Sequence, residues 1–472
     1  MKTMLLLGNK VIKILGPFDE NLRVEEFFLS CARFYSLTMV LVYCEQKTSR
    51  LEYIFRLIFT ELMRVDVEFT TQPEVYDAYA DVALWYAKQP PEHGCHIAPA
   101  GLLTTRGIHE IQPKTVDYGG ITCLFPVDEA DLPYDPFSSA FYLVTRYEEY
   151  LPFRADSHGR FPASESFASK HNFLHIPVVN HYALHLKALL QKKWDTFRTP
   201  ETPYRFMLTF DVDAAWAYRN KGFFRTLGGL GNALLQNQFS EFTHRIRVLA
   251  GKDHDPFDTF NQIFTYQRRY KLDMTCFILL GDYSRYDKNI PWHNITFQDL
   301  IKRIGDYAAL GIHPSYESWA YPERVKEEIS RLSAITRRNV LKSRQHFLRL
   351  SFPTTYRTLT NLGIKEDYTM GFAADFGFRA GICSPYYFYD LEQERITGLR
   401  IFPFAFMEGT LKDYLSLSPE QAMQVIDTLI LEVKKVNGTF ISLWHNESLS
   451  DTGRWVGWKR VCDAMIEKGR ES

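Results

Sequence analysis

Thr209-Phe210-Asp211-Val212-Asp213 places two carboxylates two residues apart at the end of an apolar run. Side chains alternate along an extended segment, so Asp211 and Asp213 point to one side. One can hold a metal ion while the other takes a proton from a water beside it; alternatively, such a pair caps the next helix. Four further segments carry related chemistry. Gly311-Ile312-His313-Pro314-Ser315-Tyr316-Glu317 ends a short apolar run on a histidine and adds a carboxylate four residues later. Ser343-Arg344-Gln345-His346 sets an arginine and a histidine before another apolar run. Asp375-Phe376-Gly377-Phe378-Arg379-Ala380-Gly381 is a Gly-rich loop with an acid and a base, and Phe440-Ile441-Ser442-Leu443-Trp444-His445 closes a run on a histidine. Taken singly, these are a loop histidine, a helix-end arginine, a turn aspartate and a strand-end histidine. Together they make an oxygen-and-nitrogen ligand set that suits zinc or another divalent metal.

Such residues meet only if a sheet collects them. Strand-type runs fall at Phe206–Asp211, Met274–Leu280, Leu310–His313, Phe347–Phe352, Tyr368–Ala373, Arg400–Phe406 and Thr439–His445. Helical patterning lies between them, notably at Pro322–Ser343 and Pro419–Val436. This alternation predicts a parallel sheet or barrel with its chemistry at the carboxyl ends of the strands. Residues 217–270, helical and partly basic, read as an insertion between the first two strands. Thr199-Pro200-Glu201-Thr202-Pro203 reads as a linker, dividing the chain into a mixed α+β part, residues 1–200, and residues 201–472. In the first part, Tyr53–Phe59 is helically patterned, Ala140–Tyr150 is expected as a core-facing helix, and residues 171–195 as another.

The 472 residues are enough for two or three domains, and 46% hydrophobic with 24% charged residues is the composition of a soluble globular protein. A formal net charge of −1, without blocks of like charge, argues against a nucleic-acid partner. Seven cysteines without paired spacing argue against a disulfide framework or a thiolate zinc site. The apolar run at Met1–Leu7 is short for a secretory signal and no later stretch is long enough for a transmembrane segment, so a cytoplasmic location is expected. The aromatic share of 15% serves cores and sugar-binding faces alike.

Thr-Phe-Asp-Val-Asp resembles the first motif of the NodB-type polysaccharide deacetylases (carbohydrate esterase family 4), usually Thr-Phe-Asp-Asp. The resemblance covers roughly residues 204–465 and keeps the family's motif order. It implies a deformed (β/α) barrel, with Asp211 as catalytic base and Asp213 as a metal ligand. In the family's second motif, His-(Ser/Thr)-x-x-His, His313 matches the first histidine, but Glu317 stands at the second. Arg344 is similar to the arginine that orients the base. Asp375 is a loose match to the aspartate that partners the acid, and Leu443-Trp444-His445 is similar to the motif carrying the acid histidine. Phe137–Tyr150 and His158-Gly159-Arg160-Phe161 resemble an uncharacterised domain that precedes such deacetylase domains in some bacterial proteins.

The third ligand is then either Glu317 or His346. His346 is favoured, because Pro314 restricts the residue before it and disrupts the turn that would return residue 317 to the metal. On this resemblance Asp213, His313 and His346 hold the ion, with Zn2+ expected. Asp211, oriented by Arg344, activates water, and His445 protonates the leaving amine. Trp444, Tyr316, Tyr386 and Tyr387 offer stacking faces for a sugar, with packing as their ordinary role. The expected activity is removal of N- or O-acetyl groups from a carbohydrate, a small or lipid-linked glycan precursor if the protein is cytoplasmic. The alternatives are hydrolysis of a non-sugar amide and a catalytically silent carbohydrate-binding or assembly protein.

Overall fold

The computed structural model describes residues 39–471 and, ahead of them, the backbone of two short strands, β1 (Met4–Leu7) and β2 (Lys10–Lys13), paired antiparallel. Cys31 lies outside the described residues. The first substantial sheet has four parallel strands, β3 (Met39–Cys44), β4 (Asp66–Thr70), β5 (Ala83–Tyr86) and β6 (Cys95–Ile97), in the order β4-β3-β5-β6. Parallel neighbours need crossovers. The first is the helix Ser49–Arg56, started by the Thr48 side chain accepting from Leu51 N–H and continued as a wider turn to Leu62. The expectation of a mixed α+β first part is corrected here: its main sheet is parallel, hence α/β. Antiparallel pairing within residues 39–200 is confined to the hairpin β7 (Thr115–Tyr118) with β8 (Ile121–Leu124) and an isolated bridge from Pro126 to Tyr134. The helix Pro136–Val144, N-capped by Asp135, is buried at every residue. Phe137 stacks on Phe55 at 3.6 Å, and Phe141 meets Tyr389 edge-on at 5.4 Å, so this helix ties the two parts of the chain into one core.

A nine-stranded sheet builds the rest, in the order β14-β15-β13-β12-β11-β10-β9-β17-β16. At its centre, β9 (Arg205–Val212) runs parallel to both β10 (Asp273–Ile278) and β17 (Thr439–His445). Met207 through Val212 are all buried, as a strand covered on both faces requires. Beyond β10 come β11 (Ala309–Ile312), β12 (Lys342–Ser343), β13 (Glu366–Asp367) and β15 (Arg395–Ile401), all parallel. Only β14 (Tyr386–Asp390) is antiparallel, on β15. The two ends of the sheet then meet on one segment. Phe402 and Phe404 donate to Asp367 and Met370 on one side, whereas Ala405 donates to Ile441 and β16 (Phe406–Met407) pairs with β17 on the other. Hydrogen bonds thus run round a closed, irregular ring of parallel strands.

Two expected strands are replaced by turns. Phe347–Phe352 carries a short 3-10 turn at its start, with Phe347 and Leu348 at φ of 57° and 54°. The paired strand lies earlier, at Lys342–Ser343. An apolar run of this length does not distinguish a buried strand from a buried turn. Tyr368–Ala373 likewise makes single bonds, Tyr368 N–H to Ser343 and Phe404 N–H to Met370, in place of a ladder. Both shifts leave polar residues at strand ends, which is where the site forms.

Candidate metal centre

Parallel pairing sets the site's geometry before any side chain is considered. In the β9–β17 ladder Asp211 and His445 are direct partners, and His313 follows the last residue of β11. Asp213, one residue past β9, and His346, three past β12, complete the rim. Asp213, His313 and His346 offer ligand atoms that all lie within 4.8 Å of one another. Among the described residues this is the one group of three or more His, Cys, Asp or Glu side chains that converges in this way.

Each imidazole is held from behind. His313 Nδ1–H donates to the Arg344 carbonyl at 2.6 Å, leaving its Nε2 facing Asp213 Oδ1 at 3.3 Å and Asp211 Oδ2 at 3.6 Å. His346 Nδ1 lies 2.9 Å from Asp287 Oδ1, and its Nε2 is 3.5 Å from Asp213 Oδ2. Asp287 is itself fixed by Tyr316 N–H and the Ser284 hydroxyl. Outer partners of this kind turn the second ring nitrogen toward a metal. Asp213 Oδ1 is buried and accepts no hydrogen bond, an orphaned acceptor that a cation would satisfy. Two imidazoles and a carboxylate therefore fit a zinc-type ion.

Glu317 is turned away, its half-exposed carboxylate paired with Arg324 at 2.6 Å. Pro314 leads into a 3-10 turn at Tyr316–Trp319 that carries it outward. Of the two alternatives for the third ligand, His346 is the one that meets Asp213 and His313.

The electrostatics follow from these contacts. Burial opposes ionisation of Asp213, but the facing imidazoles of His346, His313 and His445 hold its carboxyl well below the usual carboxylate range. Burial likewise disfavours a charged His346, yet Asp213 and Asp287 outweigh it and push its pKa up to about 9. For His445, Glu408 and then Asp213 and Asp211 overcome the burial penalty and raise the pKa well above the ordinary histidine value. The surrounding carboxylates thus favour the protonated imidazoles of His346 and His445, and a metal competes with the proton on His346.

Flanking the cluster, Arg344 is fully buried and donates from its two terminal nitrogens to Asp211 Oδ1 at 2.9 Å and the Thr209 hydroxyl at 2.8 Å. Its Nε donates to the Tyr368 carbonyl at 3.0 Å, so the guanidinium is locked. His445 Nδ1 lies 2.9 Å from Glu408 Oε1, which also accepts the His445 backbone N–H at 2.7 Å, and its Nε2 is 3.6 Å from Asp213. Asp375 does not join them. It is part-exposed, 3.9 Å from His175, in a loop that faces the first part of the chain. There Arg379 binds the buried Glu149 at 2.5 Å and Gly377 passes against the Leu174 carbonyl, where a Cβ would come within 2.5 Å. The Gly-rich loop is a joint between the two parts of the chain, and the partner of His445 is Glu408.

Sequence reading missed Glu408 and Asp287. Glu408 had a usable signal, a carboxylate two residues past the strand-type run ending at Phe406. Asp287 had none, since it sits in an irregular turn with Ser284. Trp444 and Tyr386 are buried and serve packing, so neither is a sugar-stacking face. A cavity of about 210 Å³ opens over the cluster, lined also by Phe347, Tyr414, Trp455 and, from the first part of the chain, Arg160. A larger cavity of about 560 Å³ lies elsewhere, among Tyr142, Phe153, Phe161 and Phe167, away from the ligand cluster.

A family of unknown function, DUF7033, matches residues 40–195. No curated protein matches the chain. Among solved structures, a Mycobacterium smegmatis protein assigned as a polysaccharide deacetylase is similar at 13% identity and a TM-score of 0.38, covering 57% of this chain and 86% of that one. The polysaccharide deacetylase Bc1974 from Bacillus cereus is similar at 12% identity and a TM-score of 0.29, over 56% and 86% of the two chains. BA3943, a CE4 family pseudoenzyme from Bacillus anthracis, is similar at 13% identity and 0.26, over 57% and 63%. Similarity this distant leaves the chemistry to be argued from the residues themselves.

Proposed function

We propose that this protein is a metal-dependent hydrolase that removes acetyl groups, N- or O-linked, from a carbohydrate or glycan precursor. The observation that carries the proposal is the convergence of Asp213, His313 and His346, with an anchored carboxylate, Asp211, and an anchored imidazole, His445, on adjacent strands beside it. A divalent ion, when bound, supplies Lewis acidity toward a carbonyl and its attacking water.

The chain's own residues do the rest. Arg344 pairs with Asp211 and aims its carboxylate, so that Asp211 accepts the proton of the attacking water. His445, held protonated by Glu408, gives a proton to the leaving nitrogen or oxygen as the acetyl group departs. Glu408 fixes the ring so that Nε2 faces the cavity, the same orienting role a carboxylate plays behind other catalytic histidines. Phe347 and Tyr414 offer aromatic surface for a sugar ring, and the first part of the chain contributes Arg160 to the same wall.

Elemental mass spectrometry of wild type, His346→Ala and Glu317→Ala, together with acetate release from N- and O-acetylated sugars, tests this reading. Stoichiometric metal lost in His346→Ala alone, with acetate release by the wild type, supports it. Bound metal without acetate release would favour a non-sugar amide, and no metal after supplementation would favour a silent binding protein.

A further inference from the structure

Of the three helices between β9 and β10, the first two, Phe223–Leu235 and Phe239–Leu249, form a hairpin that leaves apolar residues in solvent. Of the twenty-one large apolar side chains exposed among the described residues, eight lie in this hairpin, and Phe224 and Leu235 are 87% and 85% exposed. Scattered exposed apolar residues are ordinary, but a concentration of them marks an interaction surface. The charge is equally uneven. From Arg219 to Asp253 stand six basic residues, Arg219, Lys221, Arg225, Arg245, Arg247 and Lys252, against Glu241 and Asp253, in a chain of formal net charge −1. Arg245 pairs with Glu241 and Arg247 with Asp253, while Arg225 donates to the Lys288 and Asn289 carbonyls and keeps its charge uncompensated by an acid. The next acid, Asp255, is buried on the backbone N–H groups of Ala217, Tyr218 and Arg219.

The hairpin grows from the rim that carries the ligand cluster. Its base is tied to the end of β17, where the Asn446 side chain donates to the Ala214 and Phe257 carbonyls and Thr259 donates to the Asn446 carbonyl. Around the first helix, Phe224 and Leu235 lie about 100° from the row Phe223, Leu227, Leu234. That spread makes a broad protruding apolar surface, wider than the single stripe a partner helix buries.

We propose that this hairpin docks the protein on an anionic lipid bilayer, its phenylalanines and leucines entering the interface while its basic residues meet the headgroups. Apolar partitioning and attraction to acidic lipid then act on the same segment. The docking does not depend on the hydrolase reading; where both hold, the cleft lies beside the bilayer, within reach of a lipid-linked glycan.

The test is cosedimentation of the full chain with vesicles of phosphatidylcholine, with and without phosphatidylglycerol, for wild type and Phe224→Ser/Leu235→Ser. Both positions are solvent-exposed, and unchanged circular dichroism and thermal unfolding establish that the variant folds. The expected result is wild-type binding to the anionic vesicles that weakens with added salt, and is about tenfold or more weaker both on neutral vesicles and in the variant. No binding to anionic vesicles, or equal binding by the variant, overturns the proposal. A wild-type dimer that the double substitution converts to monomer, without vesicle binding, overturns it in favour of a second copy of the chain. Acetate release from soluble sugars is read separately, so either idea can fail alone.

Discussion

Glu408 binds His445 twice, its Oε1 accepting the backbone N–H at 2.7 Å and lying 2.9 Å from Nδ1 of the ring. The pair joins the ends of two neighbouring parallel strands, β16 and β17, and Glu408 is fully buried. One carboxylate oxygen therefore sets the backbone position, the ring orientation and the charge of the imidazole.

Replacing Glu408 by Gln keeps the shape and removes the charge. The expected outcome is a fall in kcat of about 10²-fold or more. The pH profile should shift because His445 loses its leading support for the charged form, while metal content stays at the wild-type level. A merely structural role would leave the profile in place, so the profile and elemental analysis together decide.

The Arg344–Asp211 pair is expected to matter for stability as well as for rate. Both side chains are buried, so Arg344→Met strands a carboxylate in the core, at a cost of about 3–5 kcal/mol. Urea unfolding measures it. Adding Asp211→Asn to that variant should recover part of the loss, since the unpaired charge goes with it; no recovery would argue against a charge origin.

Asp287 anchors His346 from outside the cluster. Its replacement by Ala should weaken metal affinity by about 10–100-fold, whereas Glu317→Ala should leave it unchanged. Titration against a competing chelator reads both, and an effect at Glu317 would contradict the outward orientation of that side chain.

Glu328 gives a pH dependence of stability away from the site's chemistry. Burial, outweighing hydrogen bonds from Ser315, pushes its pKa up to about 7 from an ordinary 4.5. A folded pKa above the unfolded one means the neutral form is favoured by folding. The contribution is therefore complete below pH 4.5 and lost as pH rises through about 7, roughly 3 kcal/mol over that window. Glu328→Gln should flatten this part of the stability profile in denaturant titrations at several pH values. An unchanged slope would show that other groups produce it.

Residues close in sequence and bound to strand periodicity were legible from the chain alone. Asp211 and Asp213 face one side because an extended backbone alternates, and the long central strands β9 and β17 follow from runs of buried apolar residues. His313 and His445 stand at strand ends for the same local reason. Only the tertiary structure brings His346, and not Glu317, beside Asp213 and His313, because that placement depends on β11 and β12 lying side by side and on Asp287 arriving from a distant turn. It also exchanged Asp375 for Glu408, since the closing segment of the ring brings residue 408 to β17 while Arg379 and Gly377 commit the Asp375 loop to the first part of the chain. Short strands such as β12 and β13 carry too few residues for a periodic signal. Their positions come from hydrogen bonds to neighbours many residues away, which local patterns do not encode.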